Sequence, residues 1–485
     1  MMKRHRHFND WLGKGLSLLA YAVCSSLELS AQSHTPVSLP ALFTDHIVLQ
    51  QQDSVPIWGW GQASTTVRIV GSWSSQDTVS VVVDDSGRWK GKIKTGRYGG
   101  PYTLHVFSGN NEREKIVLND VMIGEVWLCS GQSNMEWTPA NGIANQSAEI
   151  AAADYPQIRF FSLDKRGSQT LQEDCHAKWE VCTPEVMRKR SAVAYFFGRH
   201  LHQKLDVPVG LIVSAWGGTA AEVWIPEDAV PDTPEERNVI ASRKCPWWPV
   251  EPGTLYNSMI YPLLPYRIAG AIWYQGESNR DDPRPYFGLM KSLIACWRKD
   301  FGKEFPFYQV QIAPFNYQST NNGPALVREA QEQIVHEVPH TGIVITNDVG
   351  EYGNIHPARK QEVGSRLGNL ALGEHYGLLE KGYQSPFLEQ ATVVKGKAVL
   401  TFSHAEEGLV CADKVVKGLQ IAGKDKNFVE AKARIKGNRL EVYASKVKEP
   451  TEVRYCFDDA TVGNLFNKHG LPVAPFRVEI GENVK

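Results

Sequence analysis

The feature that most constrains the fold of this chain is an alternation of short apolar runs with helical segments after residue 120. The apolar runs have the length and composition of buried strands: 121–129, 209–215, 268–274, 307–312 and 341–346. The segments with helical patterns are 192–204, 286–301, 324–335 and 359–373. Buried strands interleaved with helices predict an α/β fold, with a parallel sheet flanked by helices.

β-patterned sequence flanks this region on both sides. Residues 37–120 contain short strand-like runs separated by turn residues, which predicts an N-terminal β-sandwich domain. Residues 385–485 return to a β pattern, which predicts a C-terminal β-rich accessory domain. We therefore expect the catalytic domain at 121–384, and a chain of 485 residues is long enough for several domains.

The first 31 residues have the features of a signal peptide. Lys3, Arg4 and Arg6 supply a cationic start, residues 16–23 supply an apolar run too short to span a bilayer, and Ala31 ends a small-residue cleavage site. An ordinary amphipathic helix and a lipoprotein signal through Cys24 are the alternatives. We expect a secreted or periplasmic protein, cleaved near Ala31, without a membrane span.

The charge and aromatic content narrow the class of partner. The formal net charge of -1 argues against nucleic acid, whose binding proteins normally carry a basic surface stripe. The 14 Trp and 17 Tyr residues weakly favour a carbohydrate, because exposed aromatic rings stack on sugar faces.

Cysteine chemistry does not explain the function. Seven cysteines follow the signal segment, and no CxxC pair indicates a zinc site. Cys175 and Cys182 are close enough in sequence to form a loop disulfide in an oxidising compartment, and buried free thiols are the alternative.

A serine lies just past the first buried run, in the stretch VWLCSGQSNM at 126–135. Gly131 allows a tight turn that leaves Ser133 exposed at the edge of the sheet. A serine hydroxyl becomes a nucleophile only with a base to take its proton and donors to hold the oxyanion. A lone Gly-x-Ser also fits a turn serine or a helix cap, so Ser133 needs partners elsewhere.

Polar clusters follow three later runs. Residues 214–219 (SAWGGT) contain a glycine pair that exposes backbone N–H groups, and residues 273–279 (WYQGESN) contain an amide and a carboxylate. Residues 347–357 contain Asp348, Glu351 and His356, and a histidine in a loop before a helix can act as a base. Functional residues collect at the carboxyl ends of parallel strands, so these clusters predict one site.

These stretches resemble the conserved blocks of the SGNH/GDSL-type hydrolases, and more narrowly of the sialate O-acetylesterases. Residues 131–135 (GQSNM) resemble the nucleophile block, and 217–219, 275–278 and 355–357 resemble later blocks in the expected order. The resemblance covers roughly residues 45–375. It implies an α/β/α hydrolase core that needs no metal and no organic cofactor.

The resemblance also implies roles for individual residues. Ser133 would be the nucleophile and His356 the general base. The oxyanion hole would have three donors. They would be the backbone N–H of Ser133, a glycine of the pair (Gly217 or Gly218), and one amide side chain (Gln275 or Asn279).

One position departs from the pattern of this class. The aspartate often found three residues before the histidine is replaced by Gly353. A carboxylate that orients His356 must then come from elsewhere, with Glu277 as the first candidate and Asp348 as the second, or a backbone carbonyl takes that role.

The resulting prediction is a secreted serine esterase that removes O-acetyl groups from carbohydrate through an acetyl-enzyme. The first candidate substrate is 9-O-acetyl sialic acid, whose carboxylate an arginine would grip by two hydrogen bonds, and Arg280, Arg284 and Arg328 are the candidates. An acetylated plant polysaccharide such as xylan is the alternative substrate. A non-catalytic glycan-binding protein is the alternative of another class, although Ser133 and His356 argue against it.

Overall fold

The computed structural model describes residues 37–74, 76–109 and 115–481, without the side chains of Glu235 and Glu236. The expected signal segment, with Cys24 and the cleavage site near Ala31, lies outside the described residues. None of the described helices is long and apolar enough to cross a membrane. Each described cysteine is a free thiol, so Cys175 and Cys182 are not joined.

The N-terminal β region consists of short strands that lead into one long strand. They are β1 Val48–Gln50, β2 Ser54–Trp60, β3 Thr66–Gly71, β4 Val79–Val82, β5 Arg88–Lys94, β6 Gly99–Ser108 and β7 Ile116–Gly131. β2 and β5 form an antiparallel pair, and β3, β4, β6, β1 and the first half of β7 form a second sheet.

The central region alternates strands with helices. Its strands are β8 Tyr155–Ser162, β9 Trp179–Cys182, β10 Val209–Ala215, β11 Gly270–Tyr274, β12 Phe307–Val310 and β13 Thr341–Val344. Its helices are α1 Ser133–Glu136, α2 Gln146–Ala151, α3 Pro184–Arg188, α4 Ala192–Leu205, α5 Pro234–Ser242, α6 Tyr286–Phe301, α7 Gly323–Glu337 and α8 Lys360–Glu374.

The second half of β7 lies in the middle of the central sheet. The strand order is β13-β12-β11-β7-β10-β8-β9, and all pairs are parallel except β8 with β9. The chain leaves β7 towards β8, returns to β10 on one side of β7, and then crosses to β11 on the other side. The carboxyl end of β7 is therefore the topological switch point, where open α/β sheets bind their ligands.

Alternate residues of β7 enter two different cores, as the two-residue period of a strand requires. Trp127 and Cys129 pack with α4 and α8 on one face, and Val126 and Leu128 pack with α6 and α7 on the other. The predicted α/β fold with flanking helices is confirmed.

The N-terminal β region shares a core with one face of the central sheet. The apolar cluster that contains Val126 also contains Val55 and Ile69 of the β region and Leu293 of α6. The boundary expected at residue 120 falls inside β7, which continues from one sheet into the other.

The C-terminal region is β-rich, as expected, and its strands pair in antiparallel fashion. They are β14 Leu388–Val394, β15 Lys397–Phe402, β16 Leu409–Cys411, β17 Leu419–Ala422, β18 Val429–Glu430, β19 Lys432–Lys436, β20 Arg439–Tyr443, β21 Glu452–Tyr455, β22 Leu465–Asn467 and β23 Phe476–Glu479. They surround their own core, which includes Leu400, Ile421 and Tyr455.

Candidate active site

Three neighbouring strands end at the same level of the sheet. Gly131, the last residue of β7, is paired with Ala215 of β10 and with Tyr274 of β11. The loops that begin at 132, 216 and 275 therefore leave the sheet side by side. They carry three of the four polar clusters that the sequence singled out.

The turn at Gly131 determines where Ser133 lies. Gly131 has a φ of 137°, and a Cβ atom at this position would overlap the carbonyl oxygen of Tyr274. The N–H of Gln132 donates to that same oxygen at 3.0 Å, and α1 then begins at Ser133. Ser133 is half-buried, and its own N–H is at the start of the helix, where N–H groups lack intrahelical acceptors.

Two contacts hold the His356 segment against the Ser133 segment. The imidazole of His356 stacks on the indole of Trp137, with ring centroids 4.0 Å apart and an interplanar angle of 16°. Trp137 is the residue that follows α1, four residues after Ser133. The amide nitrogen of Asn134 also donates to the carbonyl oxygen of Ile355 at 3.0 Å.

The free nitrogen of His356 has the state that a general base needs. Its Nε2 is buried and bonded to no described residue, and no hydrogen bond joins it to Ser133. Such bonds are often long in unliganded enzymes and tighten when substrate binds. Burial, with the charge of Lys360 as a second cause, lowers the pKa of His356 to about 4. The imidazole is therefore neutral at neutral pH.

Neither candidate carboxylate contacts the His356 ring. Asp348 instead accepts two hydrogen bonds from the guanidinium of Arg366, both at 2.7 Å. Glu277 is buried, and its Oε1 accepts from the Asn134 amide at 2.6 Å. Burial raises the pKa of Glu277. Among the described residues, the stacked ring of Trp137 is what orients His356.

The two glycines after β10 have different surroundings. A Cβ atom on Gly217 would lie 3.1 Å from the Cβ of Ser133, so Gly217 packs against Ser133. The N–H of Gly217 donates to Oε2 of Glu136 at 2.7 Å. Gly218, with a φ of 80°, is half-buried, and its N–H has no acceptor in the described part of the chain.

Gln275 and Asn279 are buried and connect the loop after β11 to the loop after β10. Nε2 of Gln275 donates to the carbonyl oxygen of Thr219 at 3.2 Å and to Oδ1 of Asn279 at 2.8 Å. Nδ2 of Asn279 donates to Glu222 at 3.1 Å. Both amides therefore hold the glycine loop in place from behind.

A cavity of about 480 Å³ opens beside Gly218 and Ser278. Of the three arginines expected to bind substrate, only Arg280 lines it. Arg284 pairs with Asp282 through two bonds of 2.8 and 2.6 Å. Arg328 is buried and donates to main-chain carbonyls of residues 312, 313, 458 and 459.

Sequence reasoning missed several residues at this site. Arg243, Lys244 and Trp248 line the cavity from a loop that has no strand before it, so no pattern marked them. Lys360 donates to Oδ1 of Asn134, directly behind Ser133. Asn134 could have been singled out by its position beside the serine. Among the described residues, no group of three or more His, Cys, Asp or Glu side chains is placed to hold a metal ion.

Comparison with known proteins agrees with this geometry. The family model described as "carbohydrate esterase, sialic acid-specific acetylesterase" matches residues 123–372, which span β7 to α8. The chain belongs to this family. It is 30% identical over 424 residues to the sialate O-acetylesterase of Rattus norvegicus, covering 75% of this chain and 78% of that protein. The Mus musculus enzyme is 29% identical over 422 residues, with the same coverage.

A solved structure matches almost the whole fold. The crystal structure of a carbohydrate acetylesterase from Xanthomonas citri has a TM-score of 0.83 and 33% identity, and the match covers 91% of this chain and 99% of that one. The chain is therefore a carboxylic ester hydrolase of the carbohydrate esterases, and its reaction is O-deacetylation of carbohydrate. This assignment excludes the alternative of a non-catalytic glycan-binding protein.

Proposed function

We propose that this protein is a secreted serine esterase that hydrolyses O-acetyl esters of sialic acid through an acetyl-enzyme on Ser133. His356 takes the proton of the Ser133 hydroxyl during attack on the acetyl carbonyl, and returns it to the sugar oxygen as that oxygen departs. Water then attacks the acetyl-enzyme, again with His356 as base, and acetate leaves. The serine hydroxyl is restored, and no other reactant is needed.

The observation that carries this proposal is the attachment of the His356 segment to the Ser133 segment at two points. The Trp137–His356 stack and the Asn134–Ile355 hydrogen bond join the two segments, which supports a shared role for Ser133 and His356. The neutral, unpaired Nε2 of His356 supports the role of general base. We leave Asp348 out of this machinery, because Arg366 occupies both of its oxygens.

The oxyanion would be held by the backbone N–H groups of Ser133 and Gly218. Both are half-buried, and preorganised donors of this kind contribute most to acyl transfer. Gln275 and Asn279 would support them from behind, and Gly217 would anchor Glu136.

A cationic part of the cavity favours sialic acid over a neutral sugar. Arg243, Lys244 and Arg280 all line the cavity beside Gly218. Arg243 is paired with the buried Glu222, so Lys244 and Arg280 are the cations that the carboxylate of sialic acid would meet. Asp281 and Asp282 line it as well, and Arg280 lies 3.5 Å from Asp281. Lys244 forms no ion pair with any described residue, so its charge is available to a ligand.

Kinetics on three substrates test the proposal. We expect Ser133-dependent hydrolysis of 9-O-acetyl sialic acid, with acetylated xylan as the polymeric alternative and p-nitrophenyl acetate as a neutral reference. Lys244→Ala and Arg280→Ala should raise KM for the sialate ester by about tenfold, since hydrogen bonds between charged groups contribute roughly 1.5–3 kcal/mol. Neither should change KM for the neutral ester.

Arg439→Ala is the matched control, because this arginine is exposed on β20 of the C-terminal region and absent from the cavity wall. It should leave KM unchanged on every substrate. Faster turnover of acetylated xylan than of the sialate ester, with no effect of Lys244 or Arg280, would assign the enzyme to plant polysaccharide instead.

Export is tested by the mass of the mature protein. The charge and apolar pattern of residues 1–31 supports a signal peptide, and cleavage near Ala31 should be found in protein recovered outside the cytoplasm. Recovery of the full chain from the cytoplasm alone would contradict it.

A further inference from the structure

Lys360 occupies a position that is unfavourable for a lysine. It is 1% exposed, and within residues 37–74, 76–109 and 115–481 it is the one buried lysine. It is also the first residue of α8, where the positive end of the helix dipole opposes a cation. Burial lowers its pKa to about 7, with Glu277 and Glu351 acting in the opposite direction. Burial and the helix dipole both disfavour a charged lysine at this position, and a residue kept despite such a cost is expected to have a function.

The ammonium group of Lys360 determines the orientation of the Asn134 amide. Nζ of Lys360 donates to Oδ1 of Asn134, and below the pKa of about 7 the charged ammonium can only donate, so Oδ1 faces Lys360. The two N–H groups of the same amide are then directed to Oε1 of Glu277 at 2.6 Å and to the Ile355 carbonyl at 3.0 Å. A flipped amide would place an oxygen against two acceptors and a nitrogen against the ammonium. Lys360 and Glu277 thus fix the amide from opposite sides.

This amide lies between the two reacting residues. Asn134 directly follows Ser133, and Ile355 directly precedes His356. One side chain therefore connects the backbone beside the nucleophile to the backbone beside the base. Its position depends on Lys360, which is four residues after His356 and part of none of the motifs that mark the site.

We propose that Lys360 is a positioning residue of this esterase, which acts through the Asn134 amide to hold His356 in register with Ser133. This role rests on the function proposed above. Lys360 has a second effect on the same reaction, because its positive charge opposes protonation of the nearby His356. Lys360 is buried and bonded to Asn134, so it should influence turnover and not substrate affinity.

Two substitutions separate the charge of Lys360 from its hydrogen bond. Lys360→Gln removes the charge and keeps a donor for Asn134, whereas Lys360→Met removes both. Each is assayed with p-nitrophenyl acetate across the pH range, and its folding is checked by thermal unfolding. Lys291→Met, on the exposed face of α6, is the matched control and should keep the wild-type profile.

The acid limb of kcat/KM is the deciding readout. Both variants should move it to higher pH by about one unit, since a nearby like charge is removed from His356. Lys360→Met should also lower kcat by about ten- to a hundredfold with KM unchanged, the scale of loss for a misplaced catalytic group. If Lys360→Met does not fold, Lys360→Gln alone carries the test. In a folded variant, an acid limb that stays in place would exclude the effect of the charge, and a wild-type kcat in Lys360→Met would overturn the positioning role.

A double-mutant cycle tests the route through Asn134. If Lys360 acts through that amide, the losses in kcat for Lys360→Met and Asn134→Ala should not add, because the two residues form one unit. Additive losses would contradict the route. Ser133→Ala is measured in the same buffers: if it retains activity, the proposed function fails, and if activity depends on Ser133 but Lys360 has no effect, only the present inference fails.

Discussion

At the scale of single residues, the pH dependence of activity should report most directly on His356. In the proposed mechanism its neutral form takes the serine proton, so activity should be lost as the pH falls through its pKa, which burial lowers to about 4. We expect kcat/KM to stay level through the range in which an unperturbed histidine, with a pKa near 6.5, would already be protonated. A pH series of kcat/KM on p-nitrophenyl acetate checks this. An acid limb centred near 6.5 would mean that His356 is solvated in the working enzyme.

Asp348 should contribute to the stability of the fold, whereas Glu277 should contribute to turnover. Asp348 and Arg366 form a buried pair, so Asp348→Asn should cost about 3 kcal/mol of stability, the order found when one partner of such a pair is removed, and leave kcat nearly intact. Glu277→Gln should lower kcat, because Glu277 helps to fix the Asn134 amide. Denaturant unfolding and kcat for both variants provide the measurement. A stable Asp348→Asn enzyme without activity would show that Asp348 has a catalytic role after all.

The sequence marked the proposed nucleophile and base but not the residues that contact them. Ser133 and His356 follow strand ends within recognisable motifs, and parallel strands bring such ends together. Lys360, Trp137 and Arg243 act through contacts that join distant parts of the chain, and no local pattern records those contacts. For the same reason Arg328, an expected ligand of substrate, is instead bound to backbone carbonyls.

At the scale of elements, the turn from β7 into α1 is the most demanding junction. Gly131→Ala should cost at least about 2 kcal/mol, since its φ of 137° strains any side chain and the new Cβ would overlap the Tyr274 carbonyl. It should also lower kcat, because Ser133 is two residues away. Thermal unfolding and kcat measure both effects.

Gly353→Ala is the control for this junction, since a Cβ atom there would have no neighbour within 4 Å. It should retain stability and activity. Equal losses in both variants would show that the His356 loop is as constrained as the Ser133 turn.

Elements with an uninterrupted apolar pattern could be predicted from the sequence, and elements whose pattern is interrupted by polar residues could not. The expected run 209–215 is β10, and the expected helix 286–301 is α6, because both have continuous apolar patterns. β8 was missed because Pro156, Gln157 and Arg159 interrupt its apolar pattern. The domain boundary expected at 120 falls within β7, since a strand buried in two successive sheets shows no break in its sequence.

At the scale of the whole molecule, the C-terminal β region is attached to the loops that carry the site. Asn347, which precedes Asp348, donates to the Val473 carbonyl at 2.8 Å, and Ser319 donates to Asp459 at 2.8 and 2.6 Å. Arg328 of α7 donates to the carbonyls of residues 458 and 459. The accessory region therefore braces the segment that leads to His356.

Arg328→Met should destabilise the protein by about 3–5 kcal/mol, because several buried carbonyls lose their donor. Arg477→Met is the matched control: Arg477 joins the same two regions through an exposed pair with Glu329 and should cost under about 1 kcal/mol. Denaturant unfolding compares them. Equal stability of the two variants would contradict the bracing role of Arg328.

The central claim is that the whole fold presents Ser133 as the nucleophile of an acetyl-enzyme. Its most direct test is mass spectrometry of the enzyme after reaction with an organophosphonate ester, which traps an active serine, together with the kcat of Ser133→Ala. We expect a single adduct on Ser133, no adduct on Ser133→Ala, and a loss of several orders of magnitude in kcat for that variant. An adduct on another residue, or more than about a tenth of wild-type activity in Ser133→Ala, would contradict the account.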